Sequence, residues 1–301
     1  MIGNTVSTGS RDFDPSHPST SVSVIVPVYN GAKYIAETLD TILNQTVRPI
    51  EVIVINDGST DNTVSVVEQF GASVTLINTP NGGECAARNT GASSAKGNWL
   101  GFCDSDDLWL PTKLEKKLRL AHEAPDIRCV IIDYVEITDS VVGDRSHLSF
   151  APNDFWVKEQ HSSGFVVREP VTGKLTTFQP SISSSPIVKR DFYFEVGGFD
   201  VEETRWAPDT CFHFRCLSAV PFGVVPEVLM HYRRHRDAIS ADSLKQLRNS
   251  TIVWDHIIAR YPQAQPYRAE LLIGLAAMRK EVEATERYQK RQKLKRLLGF
   301  R

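Results

Sequence analysis

The sequence is poor in the features that staple or anchor a chain. Its five cysteines, Cys85, Cys103, Cys129, Cys211 and Cys216, are an odd number, scattered, and form no C-x-x-C pair. That argues against a disulfide framework and against a zinc ribbon. No apolar run approaches the roughly eighteen residues of an ordinary membrane span; the longest, such as Val22 to Val28, are strand-sized. The first twenty residues are rich in Ser, Thr, Pro and Asp, with no basic region followed by an apolar stretch. They do not read as a secretory signal, and are expected to be a flexible leader. There is no G-x-G-x-x-G, which weakens a dinucleotide-binding reading. GASSAKG has the wrong order for a phosphate-binding G-x-x-x-x-G-K-[ST], and no G-x-S-x-G nucleophile elbow occurs.

What is present is a chain of 301 residues, 41% hydrophobic and 23% charged, long enough to bury a core without staples. Its net charge of −2 hides an asymmetry. Residues 279–301 hold nine Lys/Arg and three Glu, a balance of +6; the rest carries 25 Lys/Arg and 33 Asp/Glu, a balance of −8. A basic end on an acidic body suits an anionic partner, and equally a solvated terminal helix.

Along the chain, strands alternate with helices. SVSVIVPV, a continuous β-branched apolar run, and EVIVIND read as buried strands, and SVTLINT, NWLGFCD and CVIIDYV as a third, fourth and fifth strand. Between them lie helical spacings: Ile35, Leu39, Ile42 and Leu43; then Val64, Val67 and Phe70; then the small-residue segment GECAARNTGASSA; then Pro111 to His122. Strands separated by helices predict βαβ units and a mostly parallel α/β sheet, with ligands beyond the carboxyl ends of the strands. From about 140 to 180 the pattern loosens. SISSSPIVKR reads as a further strand, DFYFEVGGFD as a short helix ending at glycines, and the chain turns helical from Ser240.

The strand ends carry Tyr29-Asn30, Asn56-Asp57, Asp104-Ser105-Asp106-Asp107 and Asp133. Asp104 and Asp106, at i and i+2 on a strand-end turn, can share a hard divalent cation through oxygen, with phosphate oxygens as further ligands. Tyr29 offers a stacking face for a base, and Asp57 can accept from a base N–H; a core tyrosine and an N-cap aspartate are the plain alternatives. Arg88, among small residues, can hold a phosphate or carboxylate in two-pronged fashion, or form a salt bridge to a strand-end aspartate. Asp209, before the helical-looking TCFHFRCL, reads as an N-cap or as a general base. Trp206 could stack on a sugar but reads more simply as packing. His231-Tyr-Arg-Arg-His235 reads as a cationic cluster serving phosphate, since a zinc reading lacks its third ligand.

VSVIVPVYNGAKYIAETLDTILNQT, EVIVINDGSTDNT and NGGECAARNTGASSAKGNWLGFCDSDDLW together resemble the GT-A glycosyltransferases of family 2, densely over residues 21–123 and more sparsely over 197–209 and 232–240. The resemblance implies a GT-A, Rossmann-like fold. Residues 1–20 would be a leader, 21–240 a catalytic domain divided near 123 into nucleotide-sugar and acceptor halves, and 241–301 a helical extension with a basic tail. Pro27, Tyr29, Asp57 and Arg88 would line or hold the base pocket, usually for uracil. Asp104 would lie near ribose and metal, and Asp106 would coordinate Mn²⁺ or Mg²⁺ on the diphosphate. Asp209 would be the catalytic base, although Pro208 and Cys211 stand where the family's E-D-x-D-L-W-L-R pattern has acids. His235 would sit near the diphosphate. The implied reaction is an inverting transfer from a nucleotide-sugar donor, most often UDP-linked, to a glycan or lipid-linked acceptor, with no nucleic acid involved. A nucleotidyltransferase would want a Gly-rich basic loop where this chain has YNGAKYI; a non-catalytic sugar-binding protein would lose Asp106 or Asp209. Leu294, Leu297 and Leu298 add an apolar stripe to the basic tail. That suits the inner face of a cytoplasmic membrane, with packing on a second copy or plain solvent as the other readings.

Overall fold

The computed structural model describes residues 13–201, 208–219, 221–235 and 242–297. The five expected strands are β1 (Val22–Val28), β2 (Glu51–Asp57), β3 (Thr75–Thr79), β4 (Trp99–Phe102) and, after the two-residue β5 (Leu108–Trp109), β6 (Cys129–Thr138). Helices α1 (Ile35–Leu43), α2 (Thr63–Glu68), α3 (Glu84–Ser94) and α4 (Lys113–Glu123) connect them. Beyond follow β7 (Val141–Val142), β8 (Lys158–His161), β9 (Gly164–Val167), β10 (Ile187–Lys189), α5 (Arg190–Glu195), α6 (Pro208–Ser218), β11 (Phe222–Arg234), α7 (Ser243–Arg260) and α8 (Arg268–Leu297).

One sheet of eleven strands runs in the order β3-β2-β1-β4-β10-β6-β11-β9-β8, with β5 added on β11 and β7 on β6. More residues pair in parallel than in antiparallel ladders. The first four strands and the β6–β11 pair are parallel, and β10 runs antiparallel between β4 and β6. Both faces are covered along β1, β2, β4 and most of β6, which is why these strands read as unbroken apolar runs, whereas the edge strand β3 is only partly buried. Along β1 the side chains alternate: Val22, Val24 and Val26 join a core with α1 and α4, and Ile25 joins the other with α3, α5, α6 and α7.

Two segments depart from the sequence reading. SISSSPIVKR contributes only the three residues of β10, because Ser181 to Ser185 turn across the sheet end instead of pairing along it. The longest described strand, β11, carries no strand pattern in the sequence. Pro226 has no N–H to donate, the ladder to β6 shifts register between Val225 and Val228 and again before His231, and the periodicity is lost there. The end of the expected leader is packed, with the Trp99 indole donating to Ser19 O at 3.1 Å; residues 1–12 lie outside the described residues. Gly197 and Gly198, with φ of 85° and 58°, terminate α5 as the glycine pair suggests. All five cysteines are buried, and none is joined in a disulfide.

Helix α8 runs alongside α7, joined by Arg248–Glu286 and Arg279–Asp255 ion pairs. Part of the tail's positive charge is thus answered within the chain. Of the apolar stripe, Leu294 is exposed, while the side chains of Leu297 and Leu298 lie outside the described residues. Among the described residues no helix is long and apolar enough to cross a membrane.

Helix α3 reaches the sheet through Gly91, where an added Cβ would collide with the Ile25 side chain. In a free helix Gly→Ala stabilises by up to about 1 kcal/mol. Here the clash dominates, so Gly91→Ala is expected to destabilise by about 1–3 kcal/mol, measured by urea denaturation.

Candidate functional site

The site lies where β1, β2, β4 and β11 end. The loop after β1 is fixed by Asn30, whose φ is 53°. Asparagine tolerates this left-handed conformation, and its Oδ1 accepts from Thr60 N at 2.7 Å, tying the ends of β1 and β2 together. Next to it Tyr29 is 53% exposed, so its ring is open for stacking. Pro27 is buried inside β1, in register with Ile55. Asp57 is also buried, and both carboxylate oxygens accept backbone N–H groups, from Gly82 at 2.8 Å and Gly83 at 2.9 Å. It therefore shapes the loop entering α3; its remaining lone pairs are what it has to offer a ligand.

Helix α3 delivers Arg88 into the interior, 1% exposed. Its Nη2 donates to Asp104 Oδ1 at 2.7 Å and to Glu84 Oε2 at 2.9 Å. The salt-bridge alternative of the sequence reading is the one present. Burial alone would lower the guanidinium's pKa, but these carboxylates keep it above its ordinary value. Glu84 was not singled out, although its i,i+4 spacing to Arg88 on one helix was a usable signal.

The turn from Asp104 to Asp107 is held from three sides. Asp104 N donates to Ser184 Oγ at 2.8 Å. Arg233 Nε donates to Asp106 O at 2.8 Å, and Arg233 N to Asp107 Oδ1 at 3.1 Å. Thr38 Oγ1 donates to Ser105 O at 3.0 Å. His235 Nε2 lies 2.9 Å from Asp106 Oδ2, a contact in which the imidazole N–H donates, and its ring rests on Tyr34 at 4.7 Å. Burial, then the neighbouring Asp104, raises the Asp106 carboxyl above its usual range, with His235 working against them. Of the cationic cluster, Arg233 and His235 thus serve this turn, Arg234 lies 3.8 Å from Glu136, and His231 is half-buried in β11.

Asp209 stands in the first turn of α6, after Pro208, a residue suited to a helix start. Its Oδ1 accepts from Thr210 N at 2.9 Å. Burial and the negative charges of Glu84 and Asp104 push it up to about 6, with Arg88 partly offsetting them. Asp209 and Asp104 are therefore brought into one electrostatic neighbourhood, 105 residues apart in sequence numbering (209 − 104). One turn along α6, burial and Arg88 hold His213 down at about 3, so that imidazole is neutral. Asp133, read as a strand-end acid of the site, is instead buried and caps a turn, accepting from Leu148 N at 2.8 Å. Trp206 lies outside the described residues.

Among the described residues no group of three or more His, Cys, Asp or Glu side chains is placed to hold a metal. Asp104 and Asp106 nevertheless fit a hard cation that takes its other ligands from phosphate and water. Their bonds to Arg88 and His235 each engage one oxygen, and a carboxylate pair has lone pairs to spare.

Residues 23–176, just over half of the chain, match the family model "Glycosyl transferase family 2". An uncharacterized glycosyltransferase of Rickettsia typhi is 29% identical over 245 residues, 80% of this chain and 73% of its own. Among solved structures, residues 1–349 of TarS from S. aureus in complex with UDP-GlcNAc share the fold at a TM-score of 0.61 and 21% identity, over 84% of this chain and 71% of that one; of the longer TarS chain, this chain spans 42%. The mannosyltransferase PcManGT from Pyrobaculum calidifontis, in complex with GDP-Man and Mn²⁺, superposes at 0.57 and 20% identity over 90% and 77%. A GT-A sheet with acids gathered at its strand ends, and a family match over residues 23–176, lead to one conclusion: the chain belongs to glycosyl transferase family 2 and is a glycosyltransferase.

Proposed function

We propose that the enzyme transfers a sugar, with inversion, from a nucleotide diphosphate sugar to an acceptor hydroxyl. UDP is the favoured nucleotide, and the acceptor is a glycan or lipid-linked glycoconjugate. The observation that carries this reading is the placement of Asp209, raised to about 6, beside the Arg88–Asp104 pair and the turn bearing Asp106. Tyr29 stacks on the base, Asp57 accepts from its N–H, Pro27 and Arg88 support the pocket, and His235 serves the diphosphate. Asp104 and Asp106 would hold Mn²⁺ or Mg²⁺, which when bound offsets charge on the leaving diphosphate. Asp209 as carboxylate takes the acceptor's proton while its oxygen bonds to the anomeric carbon. The bond from that carbon to the diphosphate breaks, and its electron pair leaves with the nucleotide. The UDP-GlcNAc complex of TarS and the GDP-Man and Mn²⁺ complex of the mannosyltransferase support a nucleotide-sugar donor and a divalent cation.

The test is nucleotide diphosphate release from UDP- and GDP-sugars, with and without Mn²⁺ and acceptor. Asp106→Ala is expected to abolish transfer while circular dichroism stays that of wild type. Full turnover by this variant would remove the metal role.

Asp209→Asn is expected to leave donor affinity nearly unchanged and slow the chemical step by about 10²–10⁴. Its stability carries a second signature. A carboxyl raised from about 3.9 in the unfolded chain to about 6 when folded gives a contribution complete below the unfolded value and lost through the folded one. Asp209→Asn should therefore melt higher than wild type at pH 8 and alike at pH 4.

The basic end of α8 is proposed to touch an anionic membrane surface. Sedimentation with anionic liposomes at low salt should pellet the full chain and spare one ending at Met278. Equal behaviour of the two would end that reading.

A further inference from the structure

Helix α4 carries the string KLEKKLRL, in which lysines would be expected to face water. Lys113 and Lys117, one turn apart, are instead fully buried. Their Nζ atoms donate to consecutive carbonyls, Lys113 to Ser184 O and Lys117 to Ser185 O. Lys113 Nζ also lies 3.9 Å over the Trp109 ring and 3.4 Å from Met230 Sδ, so its stem and head are fixed on every side. Burying such a group is unfavourable unless its donors are used. Here both lysines converge on the Ser184-Ser185 segment, and Lys113 also reaches Met230 Sδ.

That segment carries two different loads. Ser184 Oγ accepts from Asp104 N at 2.8 Å, the first residue of the acidic turn. Ser185 Oγ accepts from Ile132 N at 3.2 Å and donates to Ile132 O at 3.3 Å, inside β6. Lys113 therefore bears on the acidic turn through one serine, and Lys117 bears on the central strand through the next. Lys113 Nζ donates to Ser184 O and Met230 Sδ, and neither lysine donates a hydrogen bond to Asp104 or Asp106.

We propose that Lys113 and Ser184 form a strut that sets the position of the Asp104–Asp106 turn, making Lys113 a positioning residue for cation binding. Lys117, on the same helix face, braces the sheet alone. The strut rests on the reading that Asp104 and Asp106 hold a divalent cation, and the experiment separates the two. Mn²⁺ binding is titrated calorimetrically in the presence of UDP, for wild type, Lys113→Met, Ser184→Ala, their double variant and Lys117→Met. UDP binding is measured separately without Mn²⁺.

Lys113→Met and Ser184→Ala are each expected to weaken Mn²⁺ binding by about 10- to 100-fold, as loss of a ligand's supporting partner does. The double variant should be no weaker than the worse single, because both act through one link. Metal-free UDP affinity should stay within about twofold throughout, and Lys117→Met should lower the melting temperature with Mn²⁺ affinity unchanged. A purely structural role would not separate the two lysines in this way. Wild-type or tighter Mn²⁺ binding by folded Lys113→Met, or additive effects in the double variant, overturns the strut. Should Lys113→Met fail to fold, Ser184→Ala decides, and unchanged affinity there overturns it too. Wild type that binds no Mn²⁺ with UDP would overturn the cation reading and the strut with it.

Discussion

The site is organised around a cation that the chain has removed from water. Arg88 is buried, its Nη2 shared between Glu84 and Asp104, with its guanidinium 4.9 Å over the Phe199 ring. An arginine cannot shed its proton to escape such a place, so the acids must come to it. Asp104, Glu84 and Asp209 gather about this single positive charge. Burial, and then the negative charge of Glu84 and Asp104, raises Asp209, and burial together with the same guanidinium keeps His213 neutral. One residue on a helix of small side chains thereby bears electrostatically on Asp209 and His213 of α6.

The two halves of the sheet meet through short contacts. The three-residue β10 joins β4 to β6 in antiparallel register, and β11 runs back to lay Arg233 and His235 against the turn that follows β4. The shifts in β11 around Pro226 belong to this geometry: a strand of 13 residues is bent so that its start lies in the core and its end reaches the site.

Strands β1, β2, β4 and β6 and the helices between them are legible because burial on both faces writes itself as continuous apolar runs, and the strand-end positions of Asp57, Asp104 and Asp106 are legible because each closes or follows such a run. Tyr29 stands open as expected, whereas Pro27 is packed within its strand. What escaped the sequence were partnerships set by tertiary structure. Arg88 had several acids to choose from, and only the fold selects Asp104 and Glu84. Ser184 holds Asp104 across 80 positions with no local signal. Lys113 and Lys117 contradict helix amphipathy outright. Strands β8 and β9 lie in a polar stretch where alternation is faint, and Asp133 looks like a site acid until the segment at Leu148 is seen to need its carboxylate.

The five cysteines give the molecule a property unrelated to catalysis. Every thiol is enclosed, and burial raises those of Cys85, Cys103 and Cys216, so little nucleophilic thiolate meets solvent while the core is shut. They are spread over α3, the end of β4, β6 and α6, which reports on both halves of the sheet. The rate at which a thiol reagent enters is therefore a clock for how often each part of the core opens.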